Sequence, residues 1–148
     1  MANHNILSVV IVALFVCVAK SPGIQKSEQH PIDLALSQCI DKHPSTAGMN
    51  ACTEKATAAW DAQMNRDYKK LTSAVSAETR KKLVVAQRAW IAFRDSEFGF
   101  LDSEYAHASG TMYSTMKLGD KSQIVKARAL SIHEYVSLVA DISESRGK

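Results

Sequence analysis

Three groups of residues in this chain have side chains that could do chemistry, and their spacing restricts what each can do. Asp61, Asn65 and Tyr68 recur at steps of four and three, and Gln87, Arg94 and Asp95 follow beside Trp90 and Phe93. A carboxylate facing an arginine could serve catalysis. No second carboxylate stands at a glycosidase-like disposition, however, and no nucleophile has a base at hand. An arginine has five donors for Asp and Asn to accept, so the six residues are expected to form a buried polar network fixing the register of two helices. The histidines, at 4, 30, 43, 107 and 133, never fall at a zinc-binding spacing. Glycine-rich phosphate loops and Gly-x-Ser-x-Gly elbows are also absent. The reading is therefore of a non-enzymatic protein with no catalytic residue, cofactor or metal.

The third group is the cysteines, at 17, 39 and 52, and their chemistry depends on compartment. Residues 1–19 contain no Lys, Arg, Asp or Glu, and Ile6 to Val18 is an almost unbroken apolar run ending in Cys17-Val18-Ala19. This reads as a secretory signal peptide over 1–19. As a helix, a run of about 13 apolar residues spans only ~20 Å, too little for a ~30 Å hydrocarbon core, so no stable membrane span is expected after its removal. Val16 is too large for the position before a lipidated cysteine. Loss of the signal leaves Cys39 and Cys52, an even count in an oxidising compartment, and predicts a disulfide. The 12 residues between them match neither a C-x-x-C redox pair nor a four-ligand metal set.

The elements that must position these groups read as helices throughout. Residues 20–30 are polar, contain Pro22 and Gly23 and form a flexible leader. A short helix starts at Pro31 and stops before Pro44, and Ser45 or Thr46 caps a second. The second carries Cys52, Ala56, Trp60, Met64, Tyr68, Leu71 and Val75 on one face. The third carries Leu83, Gln87, Trp90, Arg94, Phe98, Leu101 and Tyr105. After a break at His107 to Gly110, a fourth aligns Ile124, Arg128, Ser131, Tyr135 and Leu138, with Ile132, Val136 and Val139 widening the face and Gly119-Asp120 as a point of kinking. No segment alternates at period two. The fold class is all-α: a small antiparallel bundle of about four helices in one domain over 31–142, with the disulfide stapling the first two. The charge of +3 and pI of 8.8 come from interspersed basic and acidic residues, which argues against a nucleic-acid partner.

Cys39, Met49 with Ala51-Cys52, Asp61-x-x-Met64-Asn65-x-x-Tyr68-x-x-Leu71 and Ala86-Gln87-x-x-Trp90-x-x-Phe93-Arg94-Asp95 together resemble the lysozyme inhibitor LprI N-terminal domain family, small secreted helical domains. The resemblance covers residues 39 to about 138, with Gly110-Thr-Met-Tyr113 and Arg128 as later matches. Family members often carry a further cysteine after the Arg-Asp pair and another in the last helix; here Phe98 takes the first place, and no Cys follows Cys52. The resemblance implies a periplasmic or secreted protein whose partner is a lysozyme-like peptidoglycan hydrolase, as inhibitor or immunity protein. It would present a hydrogen-bonding loop to the hydrolase cleft, and His107, Ser109, Thr111 and Tyr113 are the candidate contacts. The alternative is a structural or adaptor protein of the periplasm.

Overall fold

The computed structural model describes residues 29–147, so the expected signal peptide and nearly all of the leader lie outside the described residues. Four helices account for the fold: α1 (Pro31–Lys42), α2 (Thr46–Ala74), α3 (Ala77–Ala106) and α4 (Met112–Arg146). Among the described residues there is no strand. α4 runs on past the expected domain end at 142.

The helix starts follow from local chemistry. Pro31 opens α1, where its missing N–H costs nothing, and His30 Nδ1 accepts from the Ile32 amide at 3.2 Å. Ser45 Oγ caps α2 through the Gly48 amide at 3.1 Å, and Ser76 caps α3 through the Thr79 amide at 3.2 Å. Gly48 also makes room for the α1–α2 turn. A Cβ there would lie 2.5 Å from the His43 carbonyl oxygen, so the close approach requires glycine. Between α3 and α4, Gly110 turns the chain at φ 116°.

Chain neighbours run antiparallel, which leaves α2 and α4 parallel, and these two form the main interface. The pairings Asn50 with Thr115 and Asp67 with His133 mark its two levels. Trp60, Met64, Val125, Ala129 and Ile132 fill its core, with Ile32, Tyr68, Leu83, Trp90 and Phe98 packed around them. α1 lies along α2, joined by the Cys39–Cys52 disulfide, whose Cα atoms are 5.8 Å apart. The His30 ring sits 4.2 Å from that of Trp60, and Lys126 Nζ reaches Asp33 Oδ2 at 2.7 Å to tie α1 to α4.

The expected faces of α2 and α3 point inward, but two expectations for α4 need correction. Its buried line is Ser122, Val125, Ala129 and Ile132, whereas Tyr135 and Leu138 are exposed. α2 presents Trp60 and Met64 to that line, against Val125, Ala129 and Ile132, and the small Ser122 and Ala129 on it leave room for two helices to approach closely. Gly119-Asp120 does not kink α4, which is one helix from Met112 to Arg146. A glycine costs a helix interior only about 1 kcal/mol, which packing along α2 can offset.

Candidate functional site

The expected polar network between α2 and α3 does not assemble. Asn65 Nδ2 donates to Asp61 Oδ2 at 2.8 Å on the surface of α2 alone, and Arg94 bonds to its own neighbour Asp95 at 2.6 Å while its guanidinium lies over the rings of Trp90 and Phe98. Tyr68 packs at the edge of the core. The cause is that α3 lies mainly against α4, so α2 and α3 do not bring those side chains face to face. Of the six, only Gln87 reaches the interior. Its Oε1 accepts from Arg128 Nε and a terminal guanidinium nitrogen at 3.0 and 2.9 Å, and its Nε2 lies 3.8 Å from Met64 Sδ.

The energetic expectation moves accordingly. Arg94→Ala, expected from a buried pairing to cost several kcal/mol, should instead cost under about 1 kcal/mol, the range of a surface ion pair. Gln87→Leu strands the Arg128 donors and should cost about 1–3 kcal/mol. Urea unfolding of the two variants checks the order. Arg94→Ala proving the worse would restore the interior role for Arg94.

The buried charge lies elsewhere. Asp67 is 1% exposed on the α2 stripe, and its carboxylate accepts from Gln63 at 2.7 Å and Lys70 at 3.3 Å and pairs with His133 Nδ1 at 2.9 Å. Burial acts to raise this carboxyl, but the bonds from Gln63, His133 and Lys70 outweigh it and hold it below the usual range. A depressed folded-state pKa contributes stability above the unfolded pKa, and that contribution disappears as pH falls through the folded value. Asp67→Asn should therefore cost about 1.5–3 kcal/mol at pH 7, with the difference from the parent closing below pH about 4. Melting both proteins from pH 7 to pH 2 measures this; a difference constant over that range would contradict it.

The four loop candidates do come together. His107, Ser109, Thr111 and Tyr113 are all exposed at the end of the bundle where α3 passes into α4. The first turn of α2 braces the loop from below. Asn50 donates to Ser114 Oγ at 3.1 Å and accepts from Thr115 Oγ1 at 2.7 Å, and Thr46 Oγ1 reaches Thr111 Oγ1 at 3.5 Å. On the other side the Tyr113 and Tyr105 rings lie 6.4 Å apart, and Tyr105 donates to Asp120 at 2.5 Å. The accepting Asp120 carboxylate pushes the Tyr105 hydroxyl up. Lys121 and Lys117 converge on Asp102 at 2.6 and 3.2 Å and hold its carboxyl low. A depression of about 240 Å³ lies among Asp102, Tyr105, Gly110, Tyr113, Ser114 and Lys117. Asn50 thus ties the first turn of α4, into which the loop runs, to α2.

Sequence reasoning missed Asn50, Asp67, Arg128 as the partner of Gln87, and His133. Asp67 had a visible signal: it falls between Met64 and Leu71 at steps of three and four, a charge on an apolar stripe. Asn50, between Met49 and Ala51, had none, because its role depends on which helix lies alongside.

Fold and site define a disulfide-pinned, all-helical domain that offers a braced polar loop at one end. Among the described residues no group of three or more His, Cys, Asp and Glu could hold a metal, and no helix is long and apolar enough to cross a membrane. The chain belongs to the lysozyme inhibitor LprI family, whose model matches residues 39–131. It is also similar to a crystal structure of an uncharacterized protein from Burkholderia thailandensis, at 30% identity and a TM-score of 0.73 over 78% of this chain. The chain spans 58% of the length of that protein. No curated protein matches.

Proposed function

We propose that this protein is exported, loses residues 1–19, and in the periplasm or outside the cell binds and inhibits a lysozyme-like peptidoglycan hydrolase by occluding its cleft. Membership of an inhibitor family, matched over residues 39–131, carries the reading. The disulfide supports an oxidising compartment. The loop supports the mode of action. Ser109, Thr111 and Tyr113 supply hydroxyl donors and His107 an imidazole, which suit the paired carboxylates that such hydrolases hold in their clefts. A protein of net charge +3 gains no long-range attraction to the strongly basic animal-type lysozymes, so the target is a less basic, bacterial type of hydrolase.

The test is cell-wall turbidity with purified protein against animal-type, goose-type and bacterial lysozyme-like enzymes. Slowed lysis is expected, strongest for the least basic enzyme, with Tyr113→Ala and His107→Ala each weakening inhibition roughly tenfold, as for contacts worth about 1–2 kcal/mol. Lysis unchanged by micromolar protein at low salt would overturn the reading.

A further inference from the structure

The third helix is packed on one side only. Of its 30 residues Gln87 alone is buried, yet its far side is not the charged surface that a solvent-facing helix normally shows. Val85, Ala89, Ala92, Phe93, Ser96 and Phe100 fall within about 100° of arc opposite Gln87 at 3.6 residues per turn. They are all exposed, Val85 by 66%, Phe93 by 52% and Phe100 by 59%. This uncharged strip has Ala89, Ala92 and Ser96 in its middle stretch, with Phe93 beside them, and Val85 and Phe100 at its ends.

The charges beside the strip are segregated by sign. Apart from Glu78, the charges on the outer side and flanks of the first part of α3 are basic, Lys81, Lys82 and Arg88, and those of the last part are acidic, Asp95, Glu97 and Glu104. A helix of this pattern is complementary to itself turned end for end. We propose that the outer face of α3 is a docking surface for a second copy of this chain, paired antiparallel about a two-fold axis close to Ala92. In that register Phe100 lies level with Val85 of the second copy. On one flank Arg88 stands level with Asp95 of the second copy, a contact that occurs twice by symmetry. A parallel pairing would set Arg88 against Arg88 and Asp95 against Asp95, so the charges select the antiparallel one. With Phe93, Phe100 and Val85 each exposed by about half to two thirds, the strip offers roughly 300 Å² per copy, below the size of standard specific interfaces. The pairing is therefore a reversible dimer, weakened by salt. It lies on a different part of α3 from the loop at 107–113 and stands whether or not the protein inhibits a hydrolase.

Sedimentation of the purified protein from about 1 to 200 μM at low salt tests the pairing. A monomer–dimer equilibrium is expected, with Phe93→Glu monomeric and Arg88→Glu raising the dissociation constant roughly tenfold; adding Asp95→Arg to Arg88→Glu should return most of that loss. Single cysteines then report the direction. An antiparallel axis at Ala92 puts the two copies of residue 92 within disulfide reach and the two copies of residue 85 about 20 Å apart. Ala92→Cys should form a covalent dimer under mild oxidation and Val85→Cys should not. A protein that stays monomeric throughout, with Ala92→Cys unlinked, would overturn the proposal and leave this face to a different partner; equal linking of both variants would overturn the antiparallel register.

Discussion

Trp60→Ala should lower the stability of this protein by about 3–5 kcal/mol, the range for truncating a fully buried large aromatic. Trp60 is 1% exposed and sits where three of the four helices meet. On its own helix it adjoins Met64, and it shares the core with Val125, Ala129 and Ile132 of α4. The ring of His30, just before α1, stacks on it, and Lys126 of α4 lies 5.5 Å from its centroid. Truncation thus opens a cavity in the α2–α4 interface and removes the surface on which the start of α1 rests. Two signals should separate these effects in urea unfolding followed by circular dichroism and by amide exchange. The midpoint should drop sharply, and amides at the N-terminal end of α1 should lose protection at urea concentrations where α2 keeps it. A loss below about 1 kcal/mol would mean that the ring is not the centre of the core.

The contrast between Trp60 and Arg94 shows how far the sequence carries the fold and where it fails. Periodicity, which uses only the residue's own helix, places both inward, and both do lie on the inner side of theirs. For Trp60 that is enough, because an apolar ring is satisfied by any close-packed neighbour. A guanidinium instead needs a specific acceptor at a specific distance, so its outcome depends on the inter-helix arrangement. That arrangement pairs α2 with α4 rather than α3, leaving Arg94 to Asp95 and giving Gln87 to Arg128. The same limit explains α4, where the apolar period alone favours the larger residues as the inner face. The approach of α2 selects Ser122 and Ala129, and nothing in the period of α4 records that approach.

The loop is more legible for a related reason. Gly110 and the break in apolar period fix its position locally, and a loop at a bundle end is exposed whichever helices pair beneath it. Only its brace, Asn50 with Ser114 and Thr115, depends on the parallel placing of α2 and α4. An engineered weakening of that brace, such as Asn50→Ala, alters the stiffness of the loop without touching the face offered to a partner. It therefore complements the Tyr113 and His107 substitutions in the lysis assay.

Replacing both Cys39 and Cys52 by Ser should cost about 3 kcal/mol, the chain-entropy value for a loop closed over a sequence separation of 13. The loss should also be uneven. α1 has 12 residues, too few for an isolated helix to persist in water. Its packing on α2 leaves an apolar groove of about 250 Å³ beside the disulfide, lined by Pro31, Ile32, Leu36 and Ala59 among others. Without the covalent link, α1 is held by Ile32 against the edge of the core, by the His30 stack on Trp60 and by the pair of Asp33, 22% exposed, with Lys126, 25% exposed. A partly exposed ion pair and one ring stack contribute about 1 kcal/mol each and, with one partly buried side chain added, sum to less than the ordering cost of a dozen residues. In the double serine variant α1 should therefore detach while α2, α3 and α4 stay assembled around Trp60 and Ile132. A melting temperature lower by roughly 10 °C or more is expected, with amides 34–42 exchanging rapidly and those at the centre of α2 still protected. Protection of α1 equal to that of the parent would show that packing alone holds it and that the disulfide acts elsewhere than on this helix.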